Sequence, residues 1–386
     1  MKITDNIYYI GINDKNIDLF EGQYKVKNGM AYNSYVIIDE KIAVFDTVEK
    51  SFGKEWLLNL DKVLDGKTPD YLIIQHMEPD HSANIDKFME KYSSATIVSG
   101  SKSFPMIKQF FGTDYNDRML TVNEGDTLEL GNHTLNFINA PMVHWPEVIM
   151  TYESYTKTLF SADGFGKFGT IDTDEEWLDE ARRYYIGIVG KFGVQVQNVL
   201  KKAQNLNIER ICALHGPILS DNLPYYIDKY DKWSSYTPEE DGVLIAYSSV
   251  YGNTEDAVNI LKSELDKLNY KNISVLNLTR CDMHEAVALS FKYSKLILAT
   301  TTYNTGIFPC MREFINHLTE RNFKARKVGI IENGSWAPMC EKIIKKSFEN
   351  SNGIEYFEKT ISIKSKVSDN NIEDIKSLAK EIVSNL

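Results

Sequence analysis

Near residue 235 the chain changes texture, and that change limits the available folds more than any other feature. Up to about residue 165 it consists of short β-rich runs separated by turns: NIYYIG, YNSYVIID, KIAVFDTV, DYLIIQH, ATIVSG, TLELGNHTLNFINAP, EVIMTYES and KTLFSADG. In YVIIDEKIAVFDT, Asp39 and Glu40 separate two apolar runs, which predicts a hairpin. Helical patterns interrupt the strands at GKEWLLNLDKVL and at TDEEWLDEARRYYIGIVGKF, where Thr173 with Glu176 three residues on predicts a capping-box start. This mixture predicts two sheets packed face to face with helices outside, not a parallel sheet. Then comes the polar, Pro- and Gly-containing stretch WSSYTPEEDG, after which strands and helices alternate: GVLIAY, TEDAVNILKSELDKL, ISVLNL, DMHEAVALSF, KLILATT, KVGIIENG. Ala257, Ile260, Leu261, Leu265 and Leu268 fall on one helical face, SDNNIEDIKSLAKEIVSNL reads as a closing helix, and the apolar strands between such helices predict a doubly wound parallel sheet. The expected domains are 1–238 and 239–386, in keeping with about 100–200 residues per domain.

Composition excludes several function classes. A net charge of −11 argues against a nucleic-acid partner, because phosphate binding needs a basic face. No apolar run reaches the length of a membrane span, and the N-terminus MKITDNIYYIG has no signal-peptide core, so a cytoplasmic protein with no membrane partner is expected. The four cysteines, Cys212, Cys281, Cys310 and Cys340, are far apart and form no CxxC pair, so any metal must be held by His and carboxylates.

QHMEPDHSAN, residues 75–84, carries four ligand-type side chains around a proline. Pro79 disfavours the helical conformation for Glu78, so His76 and Glu78 extend from the strand DYLIIQ and point to one side. Asp80 and His81 follow on the turn as a second pair. Two pairs suit two adjacent ions, each needing ligands from elsewhere. His144 in APMVHWPE, Asp163 in LFSADGFG and His215 in ICALHGP occupy similar strand-end contexts. Together they make four imidazoles and three carboxylates, enough for two three-ligand sites with Asp163 as the bridge.

In the second domain, SSVYGNT follows the strand GVLIAY and opens a helix. Ser248, Ser249, Val250, Tyr251, Gly252, Asn253 and Thr254 offer hydroxyls and free backbone N–H groups at a helix N-terminus, as a phosphate monoester requires. Lys and GxGxxG are both missing from the loop, which favours a mononucleotide such as FMN over a triphosphate or dinucleotide. Two further strand ends, LATTTYNTGIFP and IIENGSWAP, supply Thr301, Thr302, Tyr303, Asn304 and Gly306, and Asn333, Gly334, Ser335 and Trp336. Three such loops beyond the carboxyl ends of parallel strands can cradle one flat ring and its phosphate, with Tyr303 and Trp336 beside the ring, and together they resemble flavodoxin.

HxExDH, HWPE, FSADGFG and LHGP, in that order and followed by the flavodoxin-like loops, resemble the flavodiiron family over essentially the whole chain. The resemblance implies an α/β and α+β protein of two domains, a metallo-β-lactamase-like αββα sandwich followed by a flavodoxin-like doubly wound sheet. Hydrolytic relatives of that fold carry HxHxDH and bind zinc. Here Glu78 replaces the second His, and a carboxylate in place of imidazole shifts preference toward iron or manganese. The implied cofactors are FMN and two iron ions: His76, Glu78 and His144 on one iron, Asp80, His81 and His215 on the other, Asp163 shared. The implied activity is reduction of dioxygen to water, of nitric oxide to nitrous oxide, or both, since FMN and a ferrous pair can together supply four electrons. Expected partners are a separate rubredoxin-like donor, because the sequence shows no CxxC after the flavodoxin-like domain, and a second copy in a head-to-tail homodimer or a dimer of dimers. Some relatives place a His near the substrate pocket in an FHGY-like segment; here LFEGQY puts Glu21 there, which would change polarity and proton supply. Tyr184 or Tyr185 is expected to donate a hydrogen bond in the same pocket. The rival expectations are a hydrolase of the lactamase fold with an accessory flavodoxin-like domain, and a non-enzymatic electron carrier.

Overall fold

The structure, a computed structural model, describes residues 1–384; Asn385 and Leu386, the end of the expected closing helix and second domain, lie outside the described residues. The chain forms two compact units, Met1–Tyr185 with Val194–Asp231, and Ile186–Gly193 with Lys232–Leu386.

In the first unit, six strands run in the spatial order Ile7–Tyr9, Tyr35–Ile38, Ile42–Phe45, Tyr71–Ile73, Thr96–Ser99, Met119–Thr121. The Asp39–Glu40 hairpin is present, with Ile38 opposite Ile42. From Ile42–Phe45 onward the neighbours are parallel, so the first sheet is mixed. The helices Gly53–Leu64, Ile85–Lys91 and Ser103–Phe111 lie between these strands in the chain and supply the crossovers that parallel neighbours need. A second sheet holds Thr127–Glu129, Thr134–Asn139, Ile149–Glu153, Thr158–Phe160 and Arg210–Cys212, antiparallel except for its last pair. Ile37, Phe45, Ile73 and Val98 of one sheet share a core with Phe137, Ile149 and Phe160 of the other. The Phe45 and Phe160 rings stack at 4.1 Å across the sandwich. Val36, Val44, Leu72 and Ile97 alternate with those inward residues and are also fully buried, so the first sheet is covered on both faces. Trp56, on the helix Gly53–Leu64, is fully buried and donates its indole N–H to Ser34 Oγ at 3.0 Å.

Thr173 does not cap a helix. The helix Trp177–Tyr184 starts after Glu176, without a side-chain cap, while the Thr173 hydroxyl pairs with Thr170 Oγ1 at 2.8 Å. Trp177 sets the start, since its indole N–H bonds Phe165 O and its ring packs on Tyr226. A five-residue π-helical turn, Tyr185–Val189, then interrupts what read as one continuous helix.

The second unit is a parallel sheet in the order Ile273–Asn277, Glu240–Tyr247, Tyr293–Tyr303, Lys327–Asn333, with Glu355–Tyr356 and Ile361–Ile363 both pairing with the last. In chain order this is 2-1-3-4-5, the flavodoxin-like arrangement, whose ligands sit where the order reverses, between Glu240–Tyr247 and Tyr293–Tyr303. The helix Asn253–Lys267 buries Ala257, Val258, Leu261 and Leu265 against Ile245, Ile297 and Ile331. Leu268, expected on that face, is exposed because it ends the helix as its C-cap.

Candidate metal centre and flavin loops

The metal-type side chains all leave strand ends of the first unit. Glu78 is extended (φ −59°, ψ 137°) and Pro79 takes the first position of the one-turn helix Pro79–Ser82, which carries Asp80 and His81. His144 precedes the strand Ile149–Glu153, Asp163 follows Thr158–Phe160, and His215 follows Arg210–Cys212. Non-glycine residues with left-handed backbone flank these positions: Asp46 (φ 52°), Met142 (φ 64°), Ala162 (φ 48°) and Phe165 (φ 68°). Such strain is held only where surrounding structure fixes it, and it concentrates at functional sites.

Two donor clusters result, His76, Glu78, His144 and Asp163, and Asp80, His81 and His215. In the first, His144 Nε2 lies 3.0 Å from Glu78 Oε2 and 3.2 Å from Asp163 Oδ2, and His76 Nε2 lies 3.3 Å from Glu78 Oε2 and from His144 Nε2. In the second, His81 Nε2 lies 3.0 Å from His215 Nε2, and Asp80 Oδ2 is 3.3 Å from each. Asp163 divides itself between them: Oδ2 faces the first cluster, while Oδ1 is 3.4 Å from His81 Nε2 and 3.8 Å from His215 Nε2. Donors sharing one ion at about 2.1 Å are separated by roughly 3.0–3.4 Å, so the spacing fits.

The lone pairs face inward. His215 Nδ1 is 2.7 Å from Ala31 O, a carbonyl that can only accept, so Nδ1 carries the proton and Nε2 is a bare donor toward the cluster. His76 Nδ1 is 2.9 Å from Glu147 Oε1, and Met77 N–H donates to the same oxygen at 2.9 Å. Among the described residues, the four carboxylate oxygens of Asp80 and Asp163 face no donor other than these imidazoles. Buried carboxylates are not left so without a counter-charge. Without an ion, that charge is protons on imidazole. Burial opposes it, yet Asp163, Glu147 and Glu78 together raise His76 well above its usual range, and Asp163 and Glu78 raise His144 to about 9. His81 is raised too, by Asp80 and Asp163 against burial. Asp163, against its own burial, is held far below the usual carboxylate range by His76, His144 and His81.

The reading from sequence missed two carboxylates behind this centre. Glu147 is buried against His76, and Asp46 accepts from the backbone N–H of Gln75 (2.8 Å) and His76 (3.3 Å) and from the Gln75 amide (3.1 Å). Burial pushes Asp46 up to about 6, against the pull of His81 and those donors. The available signal was their place in HWPE and VFDT, beside strand ends like the ligands. Tyr184 is buried with its ring 5.4 Å from His215, and burial plus the charges of Asp163, Asp80 and Glu78 hold its hydroxyl protonated far above neutral pH. Tyr185 packs on Tyr230 instead. Glu21 is solvent-accessible, takes a hydrogen bond from the Gln23 amide at 3.2 Å, and is pushed up to about 7 by desolvation of its carboxyl and by Glu78.

The flavin-type loops are built differently. After Tyr247, buried Ser248 pairs its hydroxyl with Thr300 at 2.7 Å, and Ser249 Oγ accepts from Gly252 N (3.1 Å) and Glu255 N (3.3 Å). Gly252 (φ 91°) stands at the N-cap of the helix Asn253–Lys267, with open space where a Cβ would be, and buried Thr254 follows. Val250 and Tyr251 are exposed. Thr302 and Tyr303 pair with Ile307 and Gly306 across a two-residue turn in which Asn304 and Thr305 both have positive φ, as type I′ hairpins require. Thr301 Oγ1 donates to Asn333 O, and Thr302 Oγ1 accepts from Met339 N. The Asn333 side chain is spent on the Ser365 backbone, and Ser335 Oγ accepts from the Ser365 hydroxyl, so the loop Asn333–Trp336 is held by that neighbour. Trp336 is 90% exposed and Tyr303 46%. Gly334 lies against Pro338, where a Cβ would meet backbone at 2.9 Å.

Residues 30–216 match the family model described as ODP family beta lactamase. A Vibrio vulnificus protein named anaerobic nitric oxide reductase flavorubredoxin is 28% identical over 349 residues, covering 86% of this chain and 70% of that protein. The crystal structure of the flavodiiron protein from Giardia intestinalis matches with a TM-score of 0.91 at 26% identity, over 99% of this chain and 96% of the other. Over nearly its whole length the chain is similar to flavodiiron proteins. A structure titled rubredoxin oxygen:oxidoreductase, from Desulfovibrio gigas, shares the fold with a TM-score of 0.91 at 24% identity, over 100% of this chain and 98% of that one. These likenesses indicate that the chain is an oxidoreductase, and no helix among its described residues is long and apolar enough to cross a membrane.

Proposed function

We propose that this chain is a flavodiiron protein that reduces dioxygen to water, nitric oxide to nitrous oxide, or both, using FMN and two irons and drawing electrons from a rubredoxin-like protein. The observation that carries the reading is Asp163, with one carboxylate oxygen turned to each donor cluster. His76, Glu78 and His144 would hold one iron and Asp80, His81 and His215 the other. The loops 248–254, 301–306 and 333–336 would hold FMN, its phosphate at the N-terminus of the helix Asn253–Lys267 and its ring beside Tyr303 and Trp336. When bound, FMN supplies one- and two-electron chemistry and the irons supply open positions for a small diatomic ligand.

The protein's own residues balance and orient. Three carboxylates against two divalent ions leave a net charge near +1 in a buried site, which suits harder ions than an all-imidazole set would. The Tyr184 hydroxyl, held protonated on a ring 5.4 Å from that of His215, would donate a hydrogen bond to a bound diatomic molecule. Glu21, with a carboxyl near 7, can hold and release protons, which both reductions consume. Donor ligands and flavin loops belong to different compact units, and we take the working assembly to be a head-to-tail homodimer or a dimer of dimers, in the cytoplasm.

Metal and flavin analysis of the purified protein, then anaerobic reduction and addition of dioxygen or nitric oxide, tests the reading. Two irons and one FMN per chain with rapid reoxidation are expected. Zinc without flavin would end it in favour of a hydrolase, and full turnover by an obligate monomer in analytical ultracentrifugation would remove the dimer.

A further inference from the structure

The two metal positions proposed above match in composition. Each has two imidazoles, one carboxylate of its own and one oxygen of Asp163. Anything that makes them unequal must lie behind the ligands, and there the structure is lopsided. His76 Nδ1 meets the buried carboxylate of Glu147 at 2.9 Å. Among the described residues, His215 Nδ1 meets the neutral carbonyl of Ala31, and His81 Nδ1 has no hydrogen-bond partner. Asp46 lies near His81, but its oxygens are committed to Gln75 and the His76 amide.

Glu147 is itself well supported. Its Oε1 accepts from both His76 and the Met77 N–H, which fixes the carboxylate plane. Its Oε2 is buried and has no hydrogen-bond partner among the described residues. A carboxylate on the far nitrogen of a metal-ligating histidine fixes the tautomer and raises ligand basicity, and its loss costs about 10–100-fold in metal affinity.

We propose that Glu147 is a positioning residue that makes the two metal positions unequal: by holding His76 with Nε2 free and adding negative charge to that ring, it causes the His76–Glu78–His144 position to bind a divalent cation more tightly than the Asp80–His81–His215 position. The inference rests on the metal-centre reading.

Cobalt(II) titration of the metal-stripped full chain tests it in two backgrounds: His215→Ala, which keeps the first position intact, and His144→Ala, which keeps the second. The first background should bind Co²⁺ more tightly. Adding Glu147→Gln should weaken binding about 10–100-fold in the first background and by less than about twofold in the second. Equal weakening in both, or none in either, overturns the proposal. If neither background binds Co²⁺, the metal-centre reading falls first and takes this inference with it. A metal-free signature guards against a folding artefact: the Nδ1 proton of His76 in ¹H–¹⁵N spectra should carry a hydrogen-bonded shift in the unmutated chain that moves in Glu147→Gln, and an unmoved resonance refutes the contact.

Discussion

The two candidate binding regions of this chain solve opposite physical problems. The metal centre gathers charged side chains from four separate strand ends into a site where His76, His81 and Asp163 have almost no exposure. The proposed flavin loops offer hydroxyls, backbone and a helix N-terminus, and leave Tyr251 and Trp336 about nine-tenths exposed. Bare charge can be buried only beside opposite charge, so the first site needs many side chains from afar, mutually paired. A neutral ring with one phosphate needs shape and N–H groups, which local loops provide. One site should therefore fail as a unit, the other by degrees.

Asp163→Asn tests the first half most severely. It removes a charge that both clusters share, so both ions should be lost and turnover should fall by more than about 100-fold, beyond what losing a supporting residue costs. Flavin should stay at one per chain. Retention of a single iron by the variant would show that the clusters are independent and contradict the bridging role. Glu78→His probes selectivity within that site. It exchanges a hard carboxylate for imidazole, and metal analysis after expression should show the iron-to-zinc ratio falling several-fold while total metal changes little. An unchanged ratio would remove Glu78 as the reason to expect iron.

Gly252→Ala is the corresponding probe of the flavin loops. Nothing lies within 4 Å of the added Cβ, so packing is not the issue, but φ is 91° and an L-residue there is strained by about 1–2 kcal/mol. FMN affinity should fall roughly 5–30-fold with metal content unchanged. Loss of metal in this variant would mean that the two sites are not separable.

These differences also explain what could be read from sequence. Candidate ligands at strand ends announce themselves, since His76, His144, Asp163 and His215 stand close to apolar runs, and Glu78, Asp163 and His215 are next to Gly or Pro. The doubly wound order was visible for a similar reason, because fully buried parallel strands are continuous apolar runs. Glu147 was hidden because its partner is 71 positions away, and only folding puts its oxygen on His76. The capping box at Thr173 failed because tertiary contacts of Trp177, not local hydroxyl chemistry, fix where that helix begins. Leu268 failed because periodicity does not report where a helix stops.

The smallest expected effect is a pH dependence confined to the metal half of the metal-free protein. His144 is raised from 6.5 to about 9, with Asp163 and Glu78 outweighing burial. A histidine whose folded value lies above its unfolded one stabilises the fold through its bound proton. That contribution is complete below about pH 6.5 and is lost as pH climbs through about 9. Coupling to His76 and residual solvent access reduce the effect, leaving on the order of 1–2 kcal/mol, a few degrees in melting temperature for a unit of this size. Loading the centre with metal replaces those protons, so the slope should vanish, and metal binding near pH 7 should release protons, visible as buffer-dependent heats in calorimetry. The loops 248–254, 301–306 and 333–336 contain no carboxylate or imidazole, so adding or removing FMN should leave the slope as it was. A metal-free protein whose melting temperature is flat or rising between pH 6.5 and 9 would show that the imidazoles are neutral without metal, and that the buried carboxylates find their counter-charge elsewhere.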